Sequence, residues 1–270
     1  MEWFEAIILG LVQGLTEFLP VSSSGHLAIG RELLGIEASG NLVFEVTVHA
    51  ATVCATIVVF RRMILDLLKG LFKFKYNAET EFILKIALSM VPVLFVGVFL
   101  KDYVEELFSS LPVVGIALLV TAALLFASDR ARTAPHTEDS GEAEGYGRIS
   151  WLQAFIMGLA QAVAVIPGLS RSGTTISTGL LCGVDRKTAA GFSFLMVLVP
   201  ILGEAFLDIV GGDAAASTIG LLPLALGFVS AFASGLLACK LMLELVRRAR
   251  LSWFALYCTI VGIIVIITQL

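Results

Sequence analysis

Six long stretches of this chain are almost free of charge: 42–60, 86–100, 111–128, 188–207, 218–239 and 252–268. A helix needs about 20 residues to cross roughly 30 Å of hydrocarbon. Backbone amides have no water to bond with there, so such stretches must be helical. The whole chain agrees, being 58% hydrophobic and 15% charged, against about 25% charged in soluble domains. The fold class expected is therefore an all-α polytopic membrane protein with six full spans. A formal net charge of −4 gives no reason to expect nucleic acid as a partner. Cys54, Cys182, Cys239 and Cys258 lie scattered in apolar segments without metal-ligand spacing, which predicts buried thiols. The first apolar stretch opens on Glu2 and Glu5 and contains Gln13 and Glu17. It reads as part of the mature fold, since a signal peptide would open on basic residues.

Basic residues gather at Arg61, Arg62, Lys69, Lys73 and Lys75, at Arg130, Arg132 and Arg148, at Arg186 and Lys187, and at Lys240, Arg247, Arg248 and Arg250. The alternate connections carry Asp102, Glu105 and Glu106 beside Lys101, then Asp208 and Asp213. The positive-inside rule puts the basic set in the cytoplasm, which leaves both termini outside.

Two apolar regions, 4–35 and 151–184, do not fit as spans, because Pro, Gly and Ser interrupt each of them. Arg148 and Arg186 flank the second and belong to one side, so it should dip into the membrane and return. The first is expected to do the same from the outside. An offset of 148 positions lays Ala6 on Ala154, Gly10 on Gly158, Gln13 on Gln161, Ser22 on Ser170, Gly25 on Gly173, Gly35 on Gly183 and Phe44 on Phe192. This predicts a repeat. Residues 1–132 hold hairpin 4–35 and spans near 42–60, 84–100 and 111–128. Residues 149–270 hold hairpin 151–184 and spans near 188–208, 217–239 and 252–269. Three spans per half turn the second half upside down, an arrangement known among membrane proteins with broken helices. The polar stretch 133–148 reads as a cytoplasmic linker with a solvated His136. Pro92 and Pro200 read as kinks.

The first hairpin places Gln13 and Glu17 on one helix face, followed by Pro20, Ser22, Ser23, Ser24, Gly25 and His26. A carboxylate at membrane depth is costly unless it faces a cavity or a partner. The second hairpin reads Pro167, Gly168, Leu169, Ser170, Arg171, Ser172, Gly173, Thr174, Thr175, and Arg171 is the only Arg or Lys between Ile149 and Asp185. Its planar fork suits phosphate oxygens, and a helix starting near Gly173 would aim free N–H groups at the same spot. A purely structural Arg171–Glu17 pair is the competing reading. Neither a Walker loop nor the acid-phosphatase pattern fits, since the residue six after Arg171 is Ser177 rather than a histidine. Of the residues after the first hairpin, Glu45 is as open to a functional as to a structural reading. His49 reads as a cavity or packing residue, and Glu204 as an interfacial group.

At Gln13-GLT-Glu17-FLPVSSSGH and PGLSRSGTT, supported by Phe44-Glu45-Val46 and Phe192-Ser-Phe-Leu195, the sequence resembles the bacitracin-resistance family of undecaprenyl-diphosphate phosphatases. The resemblance implies hydrolysis of undecaprenyl diphosphate at the outer face of the cytoplasmic membrane, which recycles the cell-wall lipid carrier. It implies Glu17, Ser23, His26 and Arg171 as catalytic. Ser22, Ser24, Gly25, Ser170, Ser172, Gly173 and Thr175 would bind phosphate. It also implies a divalent cation, Mg or Ca, with Glu17 its best ligand and Gln13 a weak one, because the family's first motif position is Glu or Gln. Expected partners are the bilayer, a polyprenyl diphosphate and, as one assembly, a second copy in a homodimer. Three chemical routes stay open: attack by Ser23 with Glu17 or His26 taking its proton, attack by water with Glu17 as base, or attack by His26. A lipid-phosphate flippase or anion transporter using the same site is the alternative function.

Overall fold

The computed structural model describes residues 1–36, 42–100, 103, 104, 107, 110–131, 149–203, 219–248 and 250–268. The linker 133–148 with His136, the acidic connections, Glu204 and the last residues of the spans expected at 188–208 and 252–269 lie outside them. In chain order the helices are α1 (Trp3–Phe18), α2 (Ser23–Leu34), α3 (Leu42–Leu71), α4 (Ala78–Phe99), α5 (Leu111–Asp129), α6 (Trp151–Val163), α7 (Arg171–Leu181), α8 (Arg186–Met196), α9 (Leu221–Arg248) and α10 (Ser252–Thr268). Among the described residues, five helical segments are long and apolar enough to cross a membrane: Val43–Leu71, Ala78–Phe99, Leu111–Asp129, Arg186–Gly203 and Leu221–Val246. The sixth expected span is a helix of 17 residues, α10, which falls just short.

Two spans are longer than their apolar blocks: α3 continues to Leu71 and α9 to Arg248. Basic residues past the apolar block are good helix formers, so a change in polarity does not end a helix. Asn77 opens α4 by accepting the Thr80 amide at 2.8 Å. Helix α8 stops at Met196 because Pro200 has no N–H for the Met196 carbonyl and its ring crowds that group. The chain turns at Val197 and resumes helix to Gly203. Pro92 lies inside α4.

Both interrupted regions are helical hairpins, α1–α2 and α6–α7, and matching local chemistry marks their boundaries. α1 opens on a reciprocal cap between Glu2 and Glu5, and α6 on one between Ser150 and Gln153. The second helix of each starts on a serine: Ser22 Oγ accepts the Gly25 amide at 3.2 Å, and Ser170 Oγ accepts the Gly173 amide at 3.1 Å. Gly35 and Gly183 follow α2 and α7 in the left-handed conformation, with φ of 66° and 83°, where a side chain would be strained.

The hairpins are seated crosswise. α1 packs on α9, and α6 packs on α4. A Cβ on Gly10 would come within 2.5 Å of the Gly227 carbonyl on α9, and one on Gly158 within 2.5 Å of the Ser89 carbonyl on α4. α5 crosses α10, with Gly115 and Gly262 each against the other's carbonyl. The hairpin tips meet: Ser172 Oγ donates to the Leu19 carbonyl at 3.1 Å, and Gly25 faces Gly168. Gly158→Ala is therefore expected to destabilise the protein by about 1–3 kcal/mol, because backbone must move to admit the methyl. A lowered melting temperature in detergent would register it. An unchanged value would mean that α4 yields freely.

Candidate active site

Glu17 is the last but one residue of α1, and Ser23 is the first of α2, so the turn between them folds one onto the other. Ser23 Oγ donates to Glu17 Oε2 at 2.6 Å, a short charge-assisted bond. Gln13, one helical turn before Glu17 and fully buried, donates Nε2 to the same oxygen at 2.9 Å. Its Oε1 has no hydrogen-bond partner among the described residues.

Thr16, Glu17, Ser22, Ser23 and Ser24 of the first hairpin line one cavity with Ala164, Leu169, Ser170, Arg171 and Ser172 of the second. Arg171 is the first residue of α7, so its side chain enters where the helix presents its positive end. The amides of Arg171 and Ser172 belong to the first turn and have no acceptor within the helix. Among the described residues no carboxylate lies within ion-pair distance of Arg171. The purely structural Arg171–Glu17 pair considered from sequence is thus absent at contact distance, although both groups face one cavity.

A second lobe shares Glu17, Arg171 and Ser172 with the first. Its other walls are mainly apolar, with Phe18, Val53, Phe194, Val197, Leu198 and Ile201. The composite site is polar at one end and greasy at the other.

Not every residue singled out in the sequence reaches the cavity. Thr175 is buried, its hydroxyl bonded to the Arg171 carbonyl at 2.8 Å and to Ser193 Oγ at 2.6 Å, so it ties α7 to α8. Gly25 and Gly173 serve as capped amides and close-packing points. His26 points away from Glu17: Nδ1 lies 2.7 Å from the Ser22 carbonyl and Nε2 lies 2.7 Å from the Tyr257 hydroxyl. Glu45 is ion-paired with Arg31. His49, in contrast, lines the cavity with Nε2 3.9 Å from Glu17 Oε2, while its Nδ1 bonds the Glu45 carbonyl at 2.8 Å. Thr52 and Thr56 follow it into the apolar lobe. Their spacing on α3, His49–Thr52–Thr56, is the helical stripe that marks this face in the sequence. Among the described residues no three His, Cys, Asp or Glu side chains gather as a metal cluster.

The match to known proteins covers this whole arrangement. Residues 6–264 fit the family model described as bacitracin resistance protein BacA. A Bacteroides fragilis protein named undecaprenyl-diphosphatase is 54% identical over 100% of this chain and 99% of its own. Proteins of the same name from Christiangramia forsetii and Carboxydothermus hydrogenoformans are 47% and 38% identical, over 99% and 100% of this chain and 98% of their own in each case. By these matches the chain belongs to the bacitracin resistance protein BacA family.

Proposed function

We propose that this protein hydrolyses undecaprenyl diphosphate to undecaprenyl phosphate and inorganic phosphate, recycling the lipid carrier and countering bacitracin. The observation that carries the chemistry is Ser23 Oγ at 2.6 Å from Glu17 Oε2, in a cavity that also holds the Arg171 guanidinium. Arg171, the hydroxyls of Ser22, Ser24, Ser170 and Ser172, and the first amides of α7 grip the diphosphate and stabilise charge as it develops. The apolar lobe beside them suits the start of a polyprenyl tail. Ser23 Oγ attacks the terminal phosphorus while its proton passes to Glu17. The bridging P–O bond breaks, undecaprenyl phosphate leaves, and water then cleaves the phosphoserine to return Ser23 and release phosphate. The short Ser23–Glu17 bond favours this route over direct water attack. The engagement of His26 elsewhere disfavours it as the nucleophile.

A divalent cation fits the site if the substrate supplies most of its oxygens. Glu17 is the single carboxylate lining the cavity, and one carboxylate with substrate phosphates is a usual way of holding magnesium. The neighbouring Gln13 Oε1 is buried with no donor among the described residues. When bound, such an ion would draw charge from the diphosphate oxygens.

The site is read as opening to the outer face of the cytoplasmic membrane, with both termini outside, from the alternation of basic and acidic connections. The two halves are read as an inverted repeat with six spans. Support comes from reciprocal caps at Glu2/Glu5 and Ser150/Gln153, serine caps at Ser22 and Ser170, and left-handed glycines at Gly35 and Gly183. The crosswise seating of α1 on α9 and α6 on α4 supports it too.

Inverted halves meeting at a polar cavity also characterise transporters. Phosphate release from a lipid diphosphate by the purified protein in detergent separates the two, because no transport is possible there. Multiple turnovers are expected, whereas release at background would favour a flippase.

A further inference from the structure

Ser22 is one of two non-glycine residues with positive φ among the described residues, at φ 71° and ψ 100°. It immediately precedes Ser23, so its conformation sets the direction in which Ser23 leaves the turn. Few side chains tolerate this region without help from their surroundings. The help comes from three bonds. The Ser22 hydroxyl accepts the Gly25 amide at 3.2 Å, and its carbonyl accepts both the His26 amide at 3.2 Å and His26 Nδ1 at 2.7 Å.

A carbonyl can only accept, so the proton of His26 sits on Nδ1. In the neutral ring Nε2 then carries a lone pair. The Tyr257 hydroxyl of α10 lies 2.7 Å from it, with the two rings stacked at 5.6 Å and 11°. Tyr257 therefore donates to Nε2 and selects the tautomer that can hold Ser22. With that donor gone, a proton on Nε2 would leave the Nδ1 lone pair facing the Ser22 carbonyl, and the two would repel.

We propose that His26 and Tyr257 are a positioning pair: Tyr257 fixes the imidazole tautomer, and the imidazole holds the left-handed Ser22 turn that presents Ser23 to Glu17. On this account His26 transfers no proton in the reaction. The proposal rests on Ser23 being the attacking group, and an active Ser23→Ala protein would remove that premise by itself.

The test is phosphate release by full-length His26→Ala, His26→Asn, His26→Gln and Tyr257→Phe proteins, each with a kcat–pH profile and a detergent melting curve. The amide nitrogen of asparagine is as many bonds from Cβ as Nδ1, and that of glutamine is one further. His26→Ala is expected to lower kcat by about tenfold or more, and His26→Asn to recover it to within about threefold of the parent, with the same limbs in the pH profile. His26→Gln should not recover it. Tyr257→Phe should lower kcat by about threefold to tenfold with KM little changed, as a loss of alignment and not of binding. If His26→Asn falls to the level of His26→Ala, or loses a limb of the profile, His26 acts through its proton and the proposal fails. Full activity in Tyr257→Phe overturns the part assigned to Tyr257. These outcomes read on the pair only while Ser23→Ala is inactive, which keeps its failure distinct from failure of the nucleophile assignment.

Discussion

Arg171→Lys is expected to lower kcat for phosphate release by about a hundredfold or more while leaving the melting temperature nearly unchanged. Lysine keeps the charge, so the long-range attraction for an anion survives. It loses the planar fork that can hold two phosphate oxygens at once, and its compact ammonium cannot reproduce that geometry. The structure makes this variant informative because no carboxylate among the described residues ion-pairs with Arg171. No structural bridge is broken when the fork is lost, so a loss of rate can be assigned to the reaction. Full retention of kcat in the lysine protein would show that the guanidinium is only a counter-charge.

Glu17→Gln is expected to cost more, about a thousandfold in kcat, because the change removes the acceptor for the Ser23 proton while keeping the side chain's shape. Glu17 Oε2 now receives two hydrogen bonds, from Ser23 at 2.6 Å and Gln13 at 2.9 Å. A glutamine can keep one of its atoms as an acceptor toward Ser23, so alignment is partly preserved and basicity is not. The expected signature is a collapse of kcat with KM changed little. A protein that retained near-normal turnover would remove Glu17 from proton transfer and return the search for a base to His49, the other titratable group lining the polar cavity.

Most of the architecture was legible because membrane folding leaves few choices. Charge-free blocks become helices, and a Pro-Ser-Gly break inside one becomes a turn whose caps are local. Ser22, Ser170, Gly35 and Gly183 mark hairpin boundaries through chemistry that spans at most five residues, which a sequence displays openly. Glu17, Ser23 and His26 stood out together in the sequence, but which of Glu17 and His26 meets the Ser23 hydroxyl was left open until the turn between α1 and α2 showed it. Span lengths were less so, since α3 and α9 continue past their apolar blocks on residues that remain good helix formers.

The remaining features depend on how distant helices rotate against one another. His49 reaches the cavity because α3 lies against α1 and α9 with that face inward. In the sequence the His49–Thr52–Thr56 spacing marks a polar face on α3 but not what that face packs against. The link from His26 to Tyr257 joins the first hairpin to the last helix, and neither residue carries a local mark of it. Thr175 sits in a motif that reads as phosphate-binding, yet its hydroxyl faces Ser193. Helical phase alone could not say which hydroxyls of α7 point into the cavity.

The central claim is that Ser23 attacks phosphorus while the second hairpin clamps it. Acid quenching of the purified protein during turnover of lipid diphosphate labelled in its terminal phosphate, followed by peptide mapping, tests this most directly. Label is expected on the peptide containing Ser23 and is expected to vanish in Ser23→Ala together with turnover. Unlabelled protein during active turnover, with Ser23→Ala releasing phosphate at the parent rate, would contradict the account and leave water as the attacking group.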